Sequence, residues 1–182
     1  MPCRKDYVRE TKDPHEVVKC LEEKFGDDLS IDIFREQKAG KQNLTQFYEL
    51  WITIARDRFL ELVDNLFELD FLHFHICSGN DDGETVSINY HFSLFRVAER
   101  GKRLGLSVTV HIPKDDLVMP SLFSRIPGIE YSEREMREML GIDFDGLPNK
   151  ALVFLPEDWD ESVKPWRRDE TGPGPDLVRE LS

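Results

Sequence analysis

Cysteine is scarce in this sequence, and common catalytic motifs are missing from it. The three cysteines, Cys3, Cys20 and Cys77, are an odd number at wide spacing without a C-x-x-C pair. Neither a disulfide framework nor an iron–sulfur ligand set is therefore predicted. The G-x-S-x-G motif of serine nucleophiles and the G-x-x-x-x-G-K-[ST] phosphate loop do not occur either. The sequence supplies no self-contained catalytic site.

Basic residues are too few to balance the acidic ones, and long apolar runs are absent. The chain has 24 Lys and Arg against 36 Asp and Glu, a net charge of −12. Nucleic-acid binding needs a basic surface, so DNA and RNA are excluded as partners. No apolar run approaches the roughly 20 residues that span a bilayer, and MPCRKDYVRE lacks the apolar core of a signal peptide. We expect a cytoplasmic chain that can lie beside a membrane.

Regular hydrophobic periodicity fills residues 13–112. Asp13 and Pro14 begin a helix pattern that ends at Gly26, and a second helix pattern follows Asp57. Alternating apolar and polar residues predict strands at LSIDIF, FYELWITIA, FLHFHIC, TVSINYHFSLF and LSVTVHI. Such alternation is typical of an antiparallel sheet with one covered face. We predict an α+β fold, a mostly antiparallel sheet with helices on one face, followed by a long irregular C-terminal arm.

Residues 131–142, YSEREMREMLGI, carry the pattern of a short helix with defined ends. Ser132 is the predicted N-cap, and Glu135 is predicted to complete a capping box with it. Gly141 is predicted to end the helix in the left-handed conformation. Three-and-four spacing predicts one buried apolar stripe, formed by Met136, Met139 and Leu140.

The same helix is unusually rich in charge. Five of the eight positions from Glu133 to Leu140 are charged. At about 100° per residue, Arg134 and Glu138 project roughly opposite the apolar stripe and one turn apart. They form either a solvated ion pair or a contact with another protein. Residue spacing alone leaves both interpretations open.

Residues 142–182 have no sustained period. Five of the ten prolines lie there, only ALVFL is typical of a strand, and DLVREL is the one possible helix. Aromatic residues are uncommon in disordered tails, yet this segment includes Phe144, Phe154, Trp159 and Trp166. We therefore predict an α+β domain of residues 1–141 followed by an extended arm, residues 142–182, that docks on a partner.

The histidines suggest a competing hypothesis. Strand parity places His73, His75 and Cys77 on one face, with His91 and His111 on the same polar side of the sheet. Alternate residues of one strand lie only about 6.6 Å apart, so a tetrahedral metal site would need further ligands from neighbouring strands. We favour a polar surface that faces solvent or a partner, and we keep a metal-binding enzyme as the alternative.

The stretch EREMREMLGIDFDGLP, followed by LVFLPEDW and KPWRRDE, resembles a known family. This family is the small hydrophilic core subunit of the complex I superfamily, called the thirty-kilodalton subunit in mitochondria and present as well in bacterial NADH:quinone oxidoreductase. Related subunits occur in membrane-bound [NiFe] hydrogenases and in archaeal respiratory complexes. The match covers residues 131–169. The Gly-Leu-Pro sequence and LPEDW are closer to the hydrogenase-type members.

The resemblance implies a non-catalytic assembly subunit, without cofactor or metal, at the cytoplasmic side of the cell membrane. The implied partners are the large hydrogenase-like catalytic subunit, related to the quinone-site subunit, and neighbouring iron–sulfur subunits. A subunit of an NADH:quinone oxidoreductase is the alternative within the family. The residues implied to contact the partner are Glu133, Arg134, Glu135, Glu138, Gly141, Pro148, Trp166, Arg167, Arg168 and Asp169.

Overall fold

The predicted α+β class is confirmed. The computed structural model describes residues 6–8, 10–41, 45–97, 102–175 and 177–178. The elements in chain order are α1 (Pro14–Phe25), β1 (Leu29–Ala39), β2 (Thr45–Ile54), α2 (Phe59–Leu69), β3 (His73–Asp81), β4 (Thr85–Leu94), β5 (Leu104–Pro113), β6 (Val118–Pro120), α3 (Glu130–Leu140) and β7 (Asp143–Asp145). Five strands form one mostly antiparallel sheet in the order β1-β2-β5-β4-β3. Within it, β2 pairs with β1 antiparallel and with β5 parallel.

The chain divides into two compact units. The first unit consists of residues 1–76 and 89–110, and the second of residues 77–88 and 111–182. The second unit therefore includes α3 together with the residues that follow it. That residues 142–182 dock on a partner as a separate arm stays a prediction.

The periodic spacing of apolar residues explains which side chains are buried in the first unit. Asp13 caps α1 by accepting the His15 N–H at 2.8 Å. Helix α2 packs on the sheet through Phe59, whose ring centroid lies 4.6 Å from that of Tyr90. The helix pattern after Asp57 predicts one apolar stripe, and all of its residues are buried: Phe59, Leu62, Val63, Leu66 and Phe67. The alternation in FYELWITIA places Tyr48, Leu50, Ile52 and Ile54 on one side of β2; the last three are buried and Tyr48 is half-buried.

A bulge in β1 changes its predicted faces. Ile31 pairs with Ile52, whereas Ile33 pairs with Trp51, so the register shifts between them. The extra residue reverses the inward and outward alternation from that point. Ile33, predicted to lie on the apolar side with Ile31, is consequently 38% exposed.

The second unit contains two short strands that periodicity could not reveal. Strands β6 and β7 pair in parallel over three residues, with Met119 opposite Phe144 and both side chains buried. Gly79 on β3 lies against α3, where a Cβ would collide with Leu140. Glycine thus allows β3 and α3 to approach closely.

The predicted elements beyond β7 are not formed in the described residues. The ALVFL segment, residues 151–155, contains no strand. The proposed DLVREL helix lies partly outside the described residues. No helix in the described ranges combines the length and hydrophobicity that a membrane span requires.

Candidate docking site

Helix α3 begins earlier than predicted. It starts at Glu130, directly after a 3-10 turn over Pro127–Ile129, so Ser132 is already inside the helix. The predicted Ser132 cap and its capping box are therefore wrong, because the turn at Pro127 has started the helical conformation upstream. The predicted C-terminus is confirmed: Gly141 has φ 82° and donates its N–H to the Arg137 carbonyl at 3.0 Å.

Glu133 points into the interior of the second unit. Its carboxylate accepts the Ser121 Oγ–H at 2.5 Å and the Leu122 N–H at 2.7 Å. The side chain is fully buried. Burial raises the pKa of Glu133 to about 7, although both hydrogen bonds favour the charged form. Glu133 therefore holds the chain after β6 against α3.

Arg134 also contacts its own chain. Its Nε donates to the Ala151 carbonyl and its Nη2 to the Leu152 carbonyl, both at 2.9 Å. Nη1 lies 3.4 Å from a carboxylate oxygen of Glu130, and the guanidinium carbon lies 5.3 Å from the centre of the Tyr131 ring. Only 9% of Arg134 is exposed.

Glu138 accepts the next backbone groups of the same segment. Its carboxylate receives the N–H groups of Val153 at 2.9 Å, Phe154 at 3.1 Å, and Leu155. Charge-assisted bonds to one carboxylate thus replace the strand ladder predicted for ALVFL. Glu138 is 1% exposed, so the solvated Arg134–Glu138 pair is wrong. We call Arg134, Glu138 and residues 151–155 the clamp.

Four charged side chains form a second cluster in the same unit, which we call the ion cluster: Asp81, Lys114, Arg167 and Asp169. Lys114 Nζ lies 2.7 Å from Asp81 and 2.6 Å from Asp169. Arg167 pairs with both carboxylates and donates to the Leu140 carbonyl at 3.2 Å. Burial opposes the charge of Asp81, but the Lys114 bond and backbone N–H groups outweigh it and lower the pKa to about 2. The ion cluster holds the KPWRRDE segment at the C-terminal end of α3.

Other residues of these segments point outward. Tyr131 is 65% exposed, Phe154 62% and Trp166 42%. The Glu138 carboxylate accepts the backbone N–H of Phe154, and the backbone N–H of Trp166 donates to the Met139 carbonyl at 3.0 Å. We call Tyr131, Phe154 and Trp166 the exposed aromatic residues. The predicted contact residues do not include Tyr131 or Phe154, although Phe154 is one of the aromatic residues that predict a docked arm.

The remaining predicted contact residues differ in exposure. Arg168 is exposed, with Nη2 at 3.3 Å from the Asn80 Oδ1, while its neighbour Arg167 is buried. Pro148 is exposed, and Gly141 and Glu135 are half-buried. Burial and the nearby Glu138 raise the pKa of Glu135. The sequence motif thus separates into inward and outward side chains.

The predicted histidine and cysteine face is not formed as expected. Ile76 is 53% exposed and Cys77 is buried, the reverse of the predicted parity on β3. His73 and His75 do lie side by side, with ring centroids 4.9 Å apart. Among the described residues, no group of three or more His, Cys, Asp or Glu side chains is placed to hold a metal ion.

Comparison with known proteins gives both a family and hydrogenase relatives. The family described as "Respiratory-chain NADH dehydrogenase, 30 Kd subunit" matches residues 52–176. Membrane-bound hydrogenase subunit beta of Pyrococcus furiosus is 36% identical over 131 residues, which cover 71% of this chain and 75% of that protein. A subunit of the NADH-quinone oxidoreductase of Mycolicibacterium gilvum is 31% identical over 151 residues, covering 79% of this chain and 62% of that protein.

Solved structures share the fold. A trypsin-resistant fragment of Nqo5 aligns with a TM-score of 0.55 and 20% identity, over 74% of this chain and 97% of the fragment. A chain of the membrane-bound sulfane sulfur reductase, an archaeal respiratory membrane complex, aligns with a TM-score of 0.64 and 19% identity, over 85% of this chain and 83% of that one. The family match and the hydrogenase relative confirm the resemblance: the chain belongs to the 30 kDa subunit family of the respiratory-chain NADH dehydrogenase.

Proposed function

We propose that this chain is a non-catalytic docking subunit of a hydrogenase-type respiratory complex, located at the cytoplasmic side of the membrane. Its partners are the large hydrogenase-like catalytic subunit and the neighbouring iron–sulfur subunits. Family membership supports the role of a subunit, and the relative named as a membrane-bound hydrogenase subunit supports the hydrogenase type.

The exposed aromatic residues carry this proposal. Large aromatic side chains supply most of the energy at many protein interfaces when they enter pockets of the partner. Phe154 and Trp166 are exposed although hydrogen bonds hold their backbones, to the Glu138 carboxylate and to the Met139 carbonyl respectively. Side chains held in place before binding lose less entropy on association. A surface of this kind is suited to a lasting contact with another protein.

The lengths of two further relatives support association with a larger polypeptide. The segment similar to this chain makes up 21% of formate hydrogenlyase subunit 5 and 16% of hydrogenase-4 component G, both of Escherichia coli. In each of these proteins the similar segment is part of a much longer chain. A separate subunit that performs the same role must bind its neighbour non-covalently.

We divide the predicted contact residues, together with Tyr131 and Phe154, into two proposed groups according to their exposure. Residues that would contact the large subunit are outward-facing: Tyr131, Pro148, Phe154, Trp166 and Arg168. Residues that would position them belong to the second unit's buried contacts: Glu133, Arg134, Glu138, Arg167 and Asp169. Glu135 and Gly141 are half-buried, between these groups in exposure.

Affinity for the large subunit tests the proposal. Trp166→Ala and Phe154→Ala should each weaken binding at least about tenfold, since each truncation removes an aromatic contact. The melting temperature of the free chain should stay unchanged. Ile76→Ala, at an equally exposed apolar residue of β3, serves as the control and should bind like wild type. Wild-type affinity in both aromatic variants would contradict docking through this surface.

A second candidate is a subunit of an NADH:quinone oxidoreductase, favoured by the 31% identity to the NADH-quinone oxidoreductase relative of Mycolicibacterium gilvum. Polypeptides that copurify with the native chain decide between the two. Hydrogenase-type subunits support the first candidate, and NADH-binding subunits support the second.

A further inference from the structure

A groove crosses the sheet of the first unit and shares no residue with the clamp or with the exposed aromatic residues. Its volume is about 1000 Å³. Each of the five strands contributes at least one residue to the lining. The lining residues are Ala39, Gly40, Gln46, Phe47, His73, His75, Ser93, Arg96, Arg103 and Gly105.

The charge of the groove is opposite to that of the chain. Among the described residues, the lining contains two arginines and two histidines and no acidic residue, whereas the chain carries a net charge of −12. In the described part of the chain, neither Arg96 nor Arg103 pairs with a carboxylate; Arg96 Nη1 instead lies 2.6 Å from His73 Nε2. Burial, Arg96 and His75 lower the pKa of His73, which keeps this ring an uncharged partner of the guanidinium at neutral pH. Both guanidinium groups thus retain donors for an anionic ligand.

The length of the groove indicates an extended ligand. Five strands at about 4.8 Å spacing span about 19 Å, which is the length of about six residues of extended chain. The floor is low at Gly105, where an added Cβ would meet only the Tyr48 carbonyl, at 3.6 Å. Phe47 adds an apolar contact beside the charged groups. Inorganic phosphate is far shorter than this span and would occupy only a small part of it.

We propose that the groove binds an acidic, extended segment of another polypeptide, with Arg96 and Arg103 pairing with its carboxylates. This site lies on the first unit and does not depend on the docking proposed for the exposed aromatic residues. It provides the subunit with a second contact, selected by charge. A highly acidic chain repels acidic peptides in general, so only a local cationic site attracts one.

Fluorescence anisotropy of the full chain with fluorescein-labelled hexaglutamate tests the proposal. Saturable binding is expected, weakening with added salt because the contact is ionic. Labelled hexaglutamine, equal in length but uncharged, should not bind. An absence of saturable hexaglutamate binding would overturn the proposal.

Matched variants locate the site. Arg96→Gln combined with Arg103→Gln should weaken hexaglutamate binding at least about tenfold, by the loss of two charge pairs. Lys19→Gln combined with Lys24→Gln makes the same charge change on α1, outside the groove, and should leave binding within about twofold of wild type. Gly105→Leu keeps every charge but fills the groove floor, and should also abolish most binding. Melting temperatures verify that each variant is folded.

Three outcomes would overturn the assignment. Equal weakening by the two double variants would show a general charge effect. Wild-type binding by Gly105→Leu would place the peptide elsewhere. Complete displacement of the peptide by millimolar phosphate would indicate a small-anion site instead of a peptide groove.

Discussion

Helix α2 in the first unit and residues 151–155 in the second unit both consist largely of apolar residues, but their backbone groups are satisfied differently. Helix α2 satisfies the N–H groups beyond its first turn within the helix and buries a periodic stripe. Residues 151–155 have no regular structure and donate three N–H groups to Glu138, while Arg134 binds two of their carbonyls. The second segment therefore depends on two side chains from a distant part of the sequence.

This difference concentrates the stability of the second unit in a few charged residues. Removing one apolar residue from a periodic stripe leaves every backbone hydrogen bond intact. Removing one carboxylate from the clamp leaves several donors unsatisfied at once, and each unsatisfied buried group costs about 1–3 kcal/mol. Mutating one of these few buried charged residues should consequently reduce the stability of the second unit strongly, through the contacts of that residue.

The largest effect is expected for Glu138→Ala. Three N–H groups lose their acceptor, so the free energy of unfolding should fall by roughly 4 kcal/mol. Urea unfolding measures the loss, and trypsin cleavage after Lys150 should become faster as the segment is released. Glu135→Ala is the matched control: this half-buried acid lies three residues away on the same helix and should cost less than about 1 kcal/mol. Equal losses in the two variants would contradict the clamp.

The periodic parts of the fold were predictable from sequence, and the clamp was not. The stripe of α2 and the core positions of β2 follow from spacing because each packs against one continuous face. The ALVFL segment was predicted as a strand because an apolar run does not reveal which group accepts its N–H donors. Glu138 lies 15 residues or more from those donors in sequence. Local propensity cannot detect such a contact.

A usable signal for the clamp was nevertheless present in α3. Tyr131, Arg134 and Glu138 recur at three-and-four spacing and form a second stripe beside the apolar one. A charged stripe is usually solvated, which is why the sequence favoured an ion pair or a partner contact. Similarly, Pro127 signals a helix start, but the capping pattern at Ser132 was the stronger local match.

A smaller effect is expected from the titration of Glu133. Burial in the folded chain raises its pKa from the ordinary glutamate value of 4.5 to about 7. Between these values the folded state binds more protons at Glu133, so the contribution of Glu133 to stability is largest below about pH 4.5 and is lost as the pH rises to about 7. A shift of this size corresponds to roughly 3 kcal/mol.

Glu133→Gln isolates this contribution. An amide does not titrate, and its oxygen can still accept the Leu122 N–H while its NH₂ group donates to Ser121 Oγ. The variant should therefore gain stability relative to wild type as the pH rises from 4.5 to 7. Urea unfolding at several pH values gives the difference between the two proteins. A difference in the free energy of unfolding that does not change with pH would show that folding does not raise the pKa of Glu133.

The smallest effect is expected at Arg168, and it sharpens the contrast with its neighbour. Arg167 is buried in the ion cluster, so Arg167→Ala leaves Asp81 and Asp169 with one cation between them and should lower the melting temperature clearly. Arg168 extends outward, and its Ala variant should change the free energy of unfolding by no more than about 0.5 kcal/mol.

If Arg168 contacts the large subunit as proposed, the same variant should weaken that association while the free chain melts normally. Arg168→Lys retains the charge and should restore part of the affinity for the large subunit. Arg167→Lys should not restore stability, because an ammonium group cannot reproduce the pairing of one guanidinium with two carboxylates and the Leu140 carbonyl. Similar melting temperatures for the two Ala variants would show that the inward and outward assignment of these adjacent residues is wrong.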